Sequence, residues 1–400
     1  MRRIGERRLF TIGAALLAVH LIDDGFVHPE PGTGVGDHLV STGIPLLAVA
    51  LAAFAYYRAR PSIRAALSLV LGLVTLGIAA AVHAAQLAIG PFVGDHWTGL
   101  LLFPAGLALI VAAWLARSAA PRRSRRRRAL LALLWAGVAY AVVLPLVSAW
   151  FVTHKPRQDS SLTLGAPALV RASDGIRLSA RYLPSRNRAA VALLPGRVAE
   201  ARMLARHGFG VLLVEPRGNG DSEGDASQGW RSARDVEAAV RYLRARPDVD
   251  RERIGGLGFS LGGEVMLTAA GEGVRLHAVA SEGAGFRSAD DLLLVHDART
   301  LSQAFSTAAT FTIARLLSGA GPPAPLHELV ERIAPTPLLL TQAEHGLGGE
   351  ERNRVYFEHA RQPKSYWLIK GSSHTGGLEA RPAEYERRVV GFFGRALLRG

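Results

Sequence analysis

The residues best placed to do chemistry begin with a serine set between glycines. Gly258-Phe259-Ser260-Leu261-Gly262, with Gly263 next, follows the apolar stretch 254–257 and leads into a helical run at 264–270. A strand that turns sharply into a helix needs small residues two before and two after the serine, and it then lifts the hydroxyl above the sheet. The chain has 43 glycines, so the bare pattern arises readily by chance. The strand before it and the helix after it make it specific.

A serine hydroxyl is a poor nucleophile until a base takes its proton, and that base is expected later in the chain. His374 fits, in the small-residue loop Lys370-Gly371-Ser372-Ser373-His374-Thr375-Gly376-Gly377 after the last expected strand. His207 at a helix end, His277 before a strand and His359 inside a helix fit less well. An acid must then hold the other imidazole nitrogen. No aspartate follows Asp297, so an acid after the seventh strand has to be a glutamate. Glu344, three residues past the expected strand end, ranks first. Glu350 ranks second, because with Glu351 it opens the next helix and also reads as an ordinary helix-terminal charge. Glu282, just past the strand ending at Ser281, ranks third. Donors for the oxyanion are expected from the backbone N–H of Leu261 and that of Arg197, after Leu194-Pro195-Gly196. This chemistry calls for no metal and no cofactor.

The elements that must position these groups alternate in type. Short β-rich runs at 176–182, 190–194, 210–215, 254–257, 278–281, 337–341 and 366–369 are separated by amphipathic helices, a pattern that predicts an α/β domain with a mainly parallel sheet. The clearest helix is 235–246, with Val236, Val240 and Leu243 on one face; the last runs from 382 to 398. Residues 286–335 read as helices inserted before the seventh strand, where they could form a lid.

Residues 165–400 resemble the α/β-hydrolase superfamily. The resemblance rests on Leu194-Pro195-Gly196, on Glu215-Pro216-Arg217-Gly218-Asn219-Gly220-Asp221-Ser222-Glu223-Gly224, on the elbow at Ser260 and on the loop at His374. It implies the α/β-hydrolase fold and a serine hydrolase that cleaves an ester, thioester or amide through an acyl-enzyme. The chain departs from the family pattern twice. Pro195-Gly196 stands where His-Gly is usual, and the aspartate usual after strand seven is absent.

The first 154 residues are a different material. The whole chain is 49% hydrophobic with a mean hydropathy of +0.18, too apolar for one ordinary soluble enzyme. A helix needs about 20 apolar residues to cross a bilayer, and spans are expected at about 9–27, 39–57, 65–90, 97–116 and 129–152. They predict an all-α bundle of about five transmembrane helices, joined by a linker at 155–164 to the hydrolase domain. Arginines cluster at 2–8, 58–64 and 117–128, whereas the alternate connections carry only acids. Basic residues stay on the cytoplasmic side, which puts the N-terminus inside and the hydrolase domain outside the cytoplasm.

The net charge of +14 is therefore mainly a topology signal and not a nucleic-acid footprint, since no aromatic residues are interleaved with the run from Arg122 to Arg128. The absence of cysteine excludes disulfides and thiolate metal sites. The partners that fit are the lipid bilayer and a small-molecule or lipid-like acyl substrate.

The membrane half also repeats itself. Ala18-Val19-His20 followed by Val35-Gly36-Asp37-His38 recurs as Ala81-Val82-His83 followed by Val93-Gly94-Asp95-His96. Imidazole and carboxylate are costly at membrane depth and mark functional sites. His20, His83, Asp37, His38, Asp95 and His96 could form a metal or proton site, although no tight ligand spacing is present; the plainer reading is polar contacts at helix ends. Two functions of different class stand beside each other: a membrane-anchored serine hydrolase, and a non-catalytic transport or sensory protein with a hydrolase-like binding domain. A peptidase of related fold is less favoured, because no propeller-like domain accompanies the catalytic one.

Overall fold

The structure, a computed structural model, describes residues 2–28, 35–84, 96–118, 126, 130, 133–134, 137–154, 162–294, 298–346 and 349–398. Most of the 155–164 linker, residues 85–90 of the third expected span and most of the Arg122 to Arg128 run lie outside the described residues. The chain divides into two compact units, Met1–Asp159 with Ser306–Gly321, and Ser160–Phe305 with Pro322–Gly400.

Among the described residues, the second unit is built on eight strands. They are β1 Ala166–Arg171, β2 Arg177–Leu183, β3 Ala190–Leu194, β4 Gly210–Val214, β5 Ile254–Phe259, β6 Ala278–Glu282, β7 Leu338–His345 and β8 Lys364–Ser373, in the order β1-β2-β4-β3-β5-β6-β7-β8. β1 and β2 pair antiparallel with each other, as β2 does with β4; the other pairs are parallel. This is the α/β-hydrolase fold. β3, β4, β5 and β6 are buried along their whole length, which explains their continuous apolar runs: helices cover both faces of a parallel sheet.

Only seven strands are expected from the sequence, and β1 is the one missing. It is an edge strand with mostly exposed side chains and a proline at Pro167, a residue that edges tolerate and strand patterns disfavour.

One face of the sheet buries Val236, Val240 and Leu243 of the helix Ala233–Arg244 with Met266, Leu267 and Leu329. The other buries Met203, Leu204, Phe209, Val389, Phe392 and Phe393. Each such side chain contributes roughly 1.5–3 kcal/mol by leaving water. The register aligns the carboxyl ends of the central strands, with Leu194 beside Gly258, Gly258 beside Ser281 and Glu282 beside Thr341. Loops leaving these strands therefore emerge at one edge, where ligands bind in such sheets.

The 286–335 insertion is only partly a separate feature. Its last helix, Leu326–Glu331, buries Leu326, Leu329 and Val330 in the hydrolase core, whereas Ser306–Gly321 belongs to the other unit.

Among the described residues of the first unit, three helices are long and apolar enough to cross a membrane: Gly5–Val27, Pro61–Ala84 and His96–Ser118. Thr42–Arg58 and Tyr140–Thr153 are shorter apolar helices. Two of these helices pack by backbone contact: a Cβ on Gly72 would lie 3.0 Å from the Gly106 carbonyl oxygen, and one on Gly106 would lie 3.1 Å from that of Gly72. Small residues at such crossings let membrane helices approach closely. Arg64 is buried and paired with Glu6 at 3.2 Å, and the Tyr56 hydroxyl donates to the same carboxylate at 2.8 Å.

Candidate active site

Ser260 sits where β5 ends and the helix Leu261–Gly271 begins, with φ 52° and ψ −126°. A side chain rarely adopts that backbone region, and such strain persists only when the surroundings enforce it. The flanking glycines do so. A Cβ on Gly262 would run into the Leu194 carbonyl and stand 2.8 Å from Pro195, and one on Gly258 would run into the backbone of Gly262 and Gly263. The Ser260 N–H donates to the Glu282 carbonyl at 2.8 Å. The end of β3 is thereby held against the start of the helix, which brings the 195–197 loop alongside Ser260.

His374 enters from the loop after β8, and its Nε2 lies 2.9 Å from Ser260 Oγ. Its Nδ1 bonds Oε1 of Glu350. Glu350 is 2% exposed, and its other oxygen accepts the Ala343 N–H at 3.0 Å. Serine, imidazole and carboxylate thus form one hydrogen-bonded line.

The acid ranking from sequence is corrected here. β7 does not stop at Thr341 but continues through His345, with an irregularity between Ala343 and His345. Glu344 is therefore a strand residue; its carboxylate accepts the Gly371 N–H at 2.8 Å and is 41% exposed. Glu282 is buried, but it accepts from the Tyr385 hydroxyl at 2.5 Å and from the Gly377 N–H at 2.9 Å instead of reaching His374. Burial pushes the Glu282 carboxyl above the usual glutamate range, opposed by the bonds from Tyr385 and Gly377.

Leu261 is the first residue of the elbow helix, whose leading N–H groups have no intrahelical acceptor. Arg197 precedes the helix Val198–Arg206 in extended conformation. Sequence reasoning assigned a role only to its backbone, but its side chain ties the site together. Nη1 donates to the Thr375 carbonyl at 2.9 Å, Nε pairs with Glu200 at 3.0 Å, and the guanidinium lies 4.7 Å over the Phe259 ring. Tyr385 and Glu200 were missed as well, since nothing in their local sequence marks a residue that contacts the site only through the fold.

The 215–224 turn is scaffold. Arg217 is buried between Asp235, at 2.6 Å and 2.9 Å, and Asp174 at 2.7 Å.

His20, His83 and His96 come together in the first unit through direct nitrogen-to-nitrogen bonds. The side chains of Asp37 and His38 lie outside the described residues, as does Asp95. Among the described residues, no group of three or more histidines or acids is arranged to hold a metal ion.

A family model described as X-Pro dipeptidyl-peptidase (S15 family) matches residues 146–374, more than half of the chain and inclusive of Ser260, Glu350 and His374. The chain belongs to the S15 family. S15 membership and the fold make it an α/β hydrolase. It is similar to the uncharacterized protein YfhR of Escherichia coli O157:H7, 24% identical over 246 residues that cover 56% of this chain and 79% of that one. It is also similar to the thiohydrolase aneE of Aspergillus aculeatus, 34% identical over 109 residues, 24% of this chain and 34% of that one. Among solved structures, the esterase Pf2001 of Pyrococcus furiosus is 20% identical, covers 60% of this chain and 97% of its own, and superposes with a TM-score of 0.49.

Proposed function

We propose that this S15 hydrolase is a membrane-anchored serine hydrolase that cleaves an ester or related acyl bond through an acyl-enzyme on Ser260. The observation that carries the reading is the line Ser260, His374, Glu350, with the serine held at positive φ.

His374 Nε2 takes the Ser260 proton as Oγ attacks the substrate carbonyl. Glu350 keeps the Nδ1–H oriented and stabilises the imidazolium that forms. The oxyanion is received by the N–H of Leu261 and that of Arg197. His374 then gives its proton to the leaving oxygen. Water, deprotonated by the same nitrogen, attacks the acyl-enzyme, releases the acid and returns the proton to Ser260.

The three apolar helices and the arginine pattern support an anchor in the bilayer with the hydrolase domain outside the cytoplasm, and hence a lipid-like acyl substrate.

A panel of p-nitrophenyl esters of rising chain length, set against X-Pro dipeptide amides, tests the bond type. Ester turnover that rises with acyl length is expected. Turnover confined to the X-Pro amides would overturn it.

A further inference from the structure

The helix Ala298–Ser318 has two apolar faces and buries one of them. Between Arg299 and Arg315 it carries no charged residue for 15 positions. Thr300, Ala304, Phe311, Ala314 and Leu317 are buried. Leu301, Phe305 and Leu316 are 62%, 56% and 55% exposed, and Ala308 and Thr312 between them are exposed as well. At about 100° per residue these five fall within an arc of about 80°, so they form one stripe along the helix.

A helix that is apolar on both faces is stable where both are out of water. The Thr312 hydroxyl, the one polar side-chain group in the stripe, donates to the Ala308 carbonyl at 2.7 Å. Thr75 does the same to Leu71 at 2.7 Å, and Thr153 to Ala149 at 2.9 Å, in the apolar helices of the first unit. Hydrocarbon offers no partner of its own and requires polar groups to be satisfied in this way.

The boundary between the two units falls inside this helix, and Ser306–Gly321 belongs to the unit that holds the three span-length helices. In that unit His96–Ser118 exposes Leu107, Val111 and Trp114, an apolar stripe of the same helical spacing. A run of 15 charge-free residues falls short of the roughly 20 needed to cross a bilayer. Arg315, exposed, borders the stripe. A helix of this make lies in the plane of the membrane interface, with its apolar side chains among acyl chains and its cation at the headgroups.

On the reading that the first unit sits in a bilayer, we propose that the helix Ala298–Ser318 lies in the membrane interface, with Leu301, Phe305, Ala308, Thr312 and Leu316 against lipid acyl chains and Arg315 at the headgroup phosphates. The segment that contains it leaves the sheet after β6, where the Glu282 carbonyl receives the Ser260 N–H. The insertion that departs from the catalytic edge is thus the part of the hydrolase domain seated in lipid.

The test uses spin labels, which the absence of native cysteine makes site-specific. Leu301→Cys, Thr312→Cys and Leu316→Cys, each in the full chain, are labelled with a nitroxide and reconstituted in phosphatidylcholine–phosphatidylglycerol vesicles. Power-saturation EPR then reads collisions with oxygen, which concentrates in hydrocarbon, and with a water-soluble nickel chelate. Trp114→Cys reports the bilayer placement of the first unit, and Arg361→Cys, on the surface of the hydrolase domain, reports water. The three stripe labels should favour oxygen and lose nickel collisions, as Trp114→Cys does, while Arg361→Cys shows the reverse. Stripe labels that favour nickel, or that are shielded from both reagents as beneath a second copy of the chain, would overturn the inference while Trp114→Cys still favours oxygen. If Trp114→Cys itself favours nickel, the membrane reading fails and the inference with it.

Discussion

Glu350 reaches Nδ1 of His374 from the turn after β7, and its second oxygen is fixed by the Ala343 N–H at 3.0 Å, inside the same strand that carries Glu344 to the surface. The irregularity between Ala343 and His345 separates two glutamates that look interchangeable along the chain. Glu350→Gln should lower kcat by about 10³-fold or more, because the amide no longer enforces the tautomer that leaves Nε2 free to accept. Glu344→Gln should stay within a few-fold of wild type. Steady-state kinetics of the two variants on one ester checks this, and equal losses would contradict the assignment.

Ser260 carries backbone strain that its function demands. Both Ser260→Ala and Ser260→Gly remove the nucleophile, but only glycine accepts φ 52° without cost. The glycine variant should be more stable than the alanine variant by about 1 kcal/mol. Urea midpoints of the two inactive proteins measure the difference.

Arg197 joins the oxyanion loop to the His374 loop through Thr375 and covers Phe259. Arg197→Met should lower kcat on the order of 10-fold with little change in KM, since small displacements of the base are costly in rate. Arg197→Lys should recover only part of that loss, because an ammonium cannot donate to Thr375 and pair with Glu200 in the same planar fork.

Glu282 binds its proton more tightly in the folded chain than an ordinary glutamate does, chiefly through burial. Its contribution to stability is therefore present below the ordinary glutamate range and is lost as pH rises through the folded value. Glu282→Gln removes this dependence. In mildly acidic buffers the Tm of wild type should fall, relative to the variant, as pH increases. Parallel Tm profiles would contradict the sign.

Arginine placement predicts that the C-terminus lies outside the cytoplasm. A phosphatase reporter fused after Gly400, active only outside, should be active. A fusion that is made but inactive would reverse the orientation.

Much of the hydrolase fold is legible in the sequence because burial leaves marks there. Leu193 and Leu213 lie in unbroken apolar runs since both sheet faces are covered, and Gly258 and Gly262 stand where any Cβ would strike backbone. β1 is not legible, because an exposed edge strand with Pro167 needs no apolar pattern. The choice among Glu282, Glu344 and Glu350 is equally hidden. It depends on how far β7 extends and on which carboxylate Tyr385 already holds, and these are facts of packing with no local signature. The repeat carrying His20 and His83 is visible as text, but the approach of His83 to both His20 and His96 is a fact of packing that the repeat does not spell out.

The most direct test of the central claim is labelling of the full chain in membranes with a fluorophosphonate probe, followed by mapping of the modified residue. Wild type should be modified at Ser260, and Ser260→Ala should remain unlabelled. A folded wild type that resists the probe, or a Ser260→Ala variant that is still labelled, would contradict it.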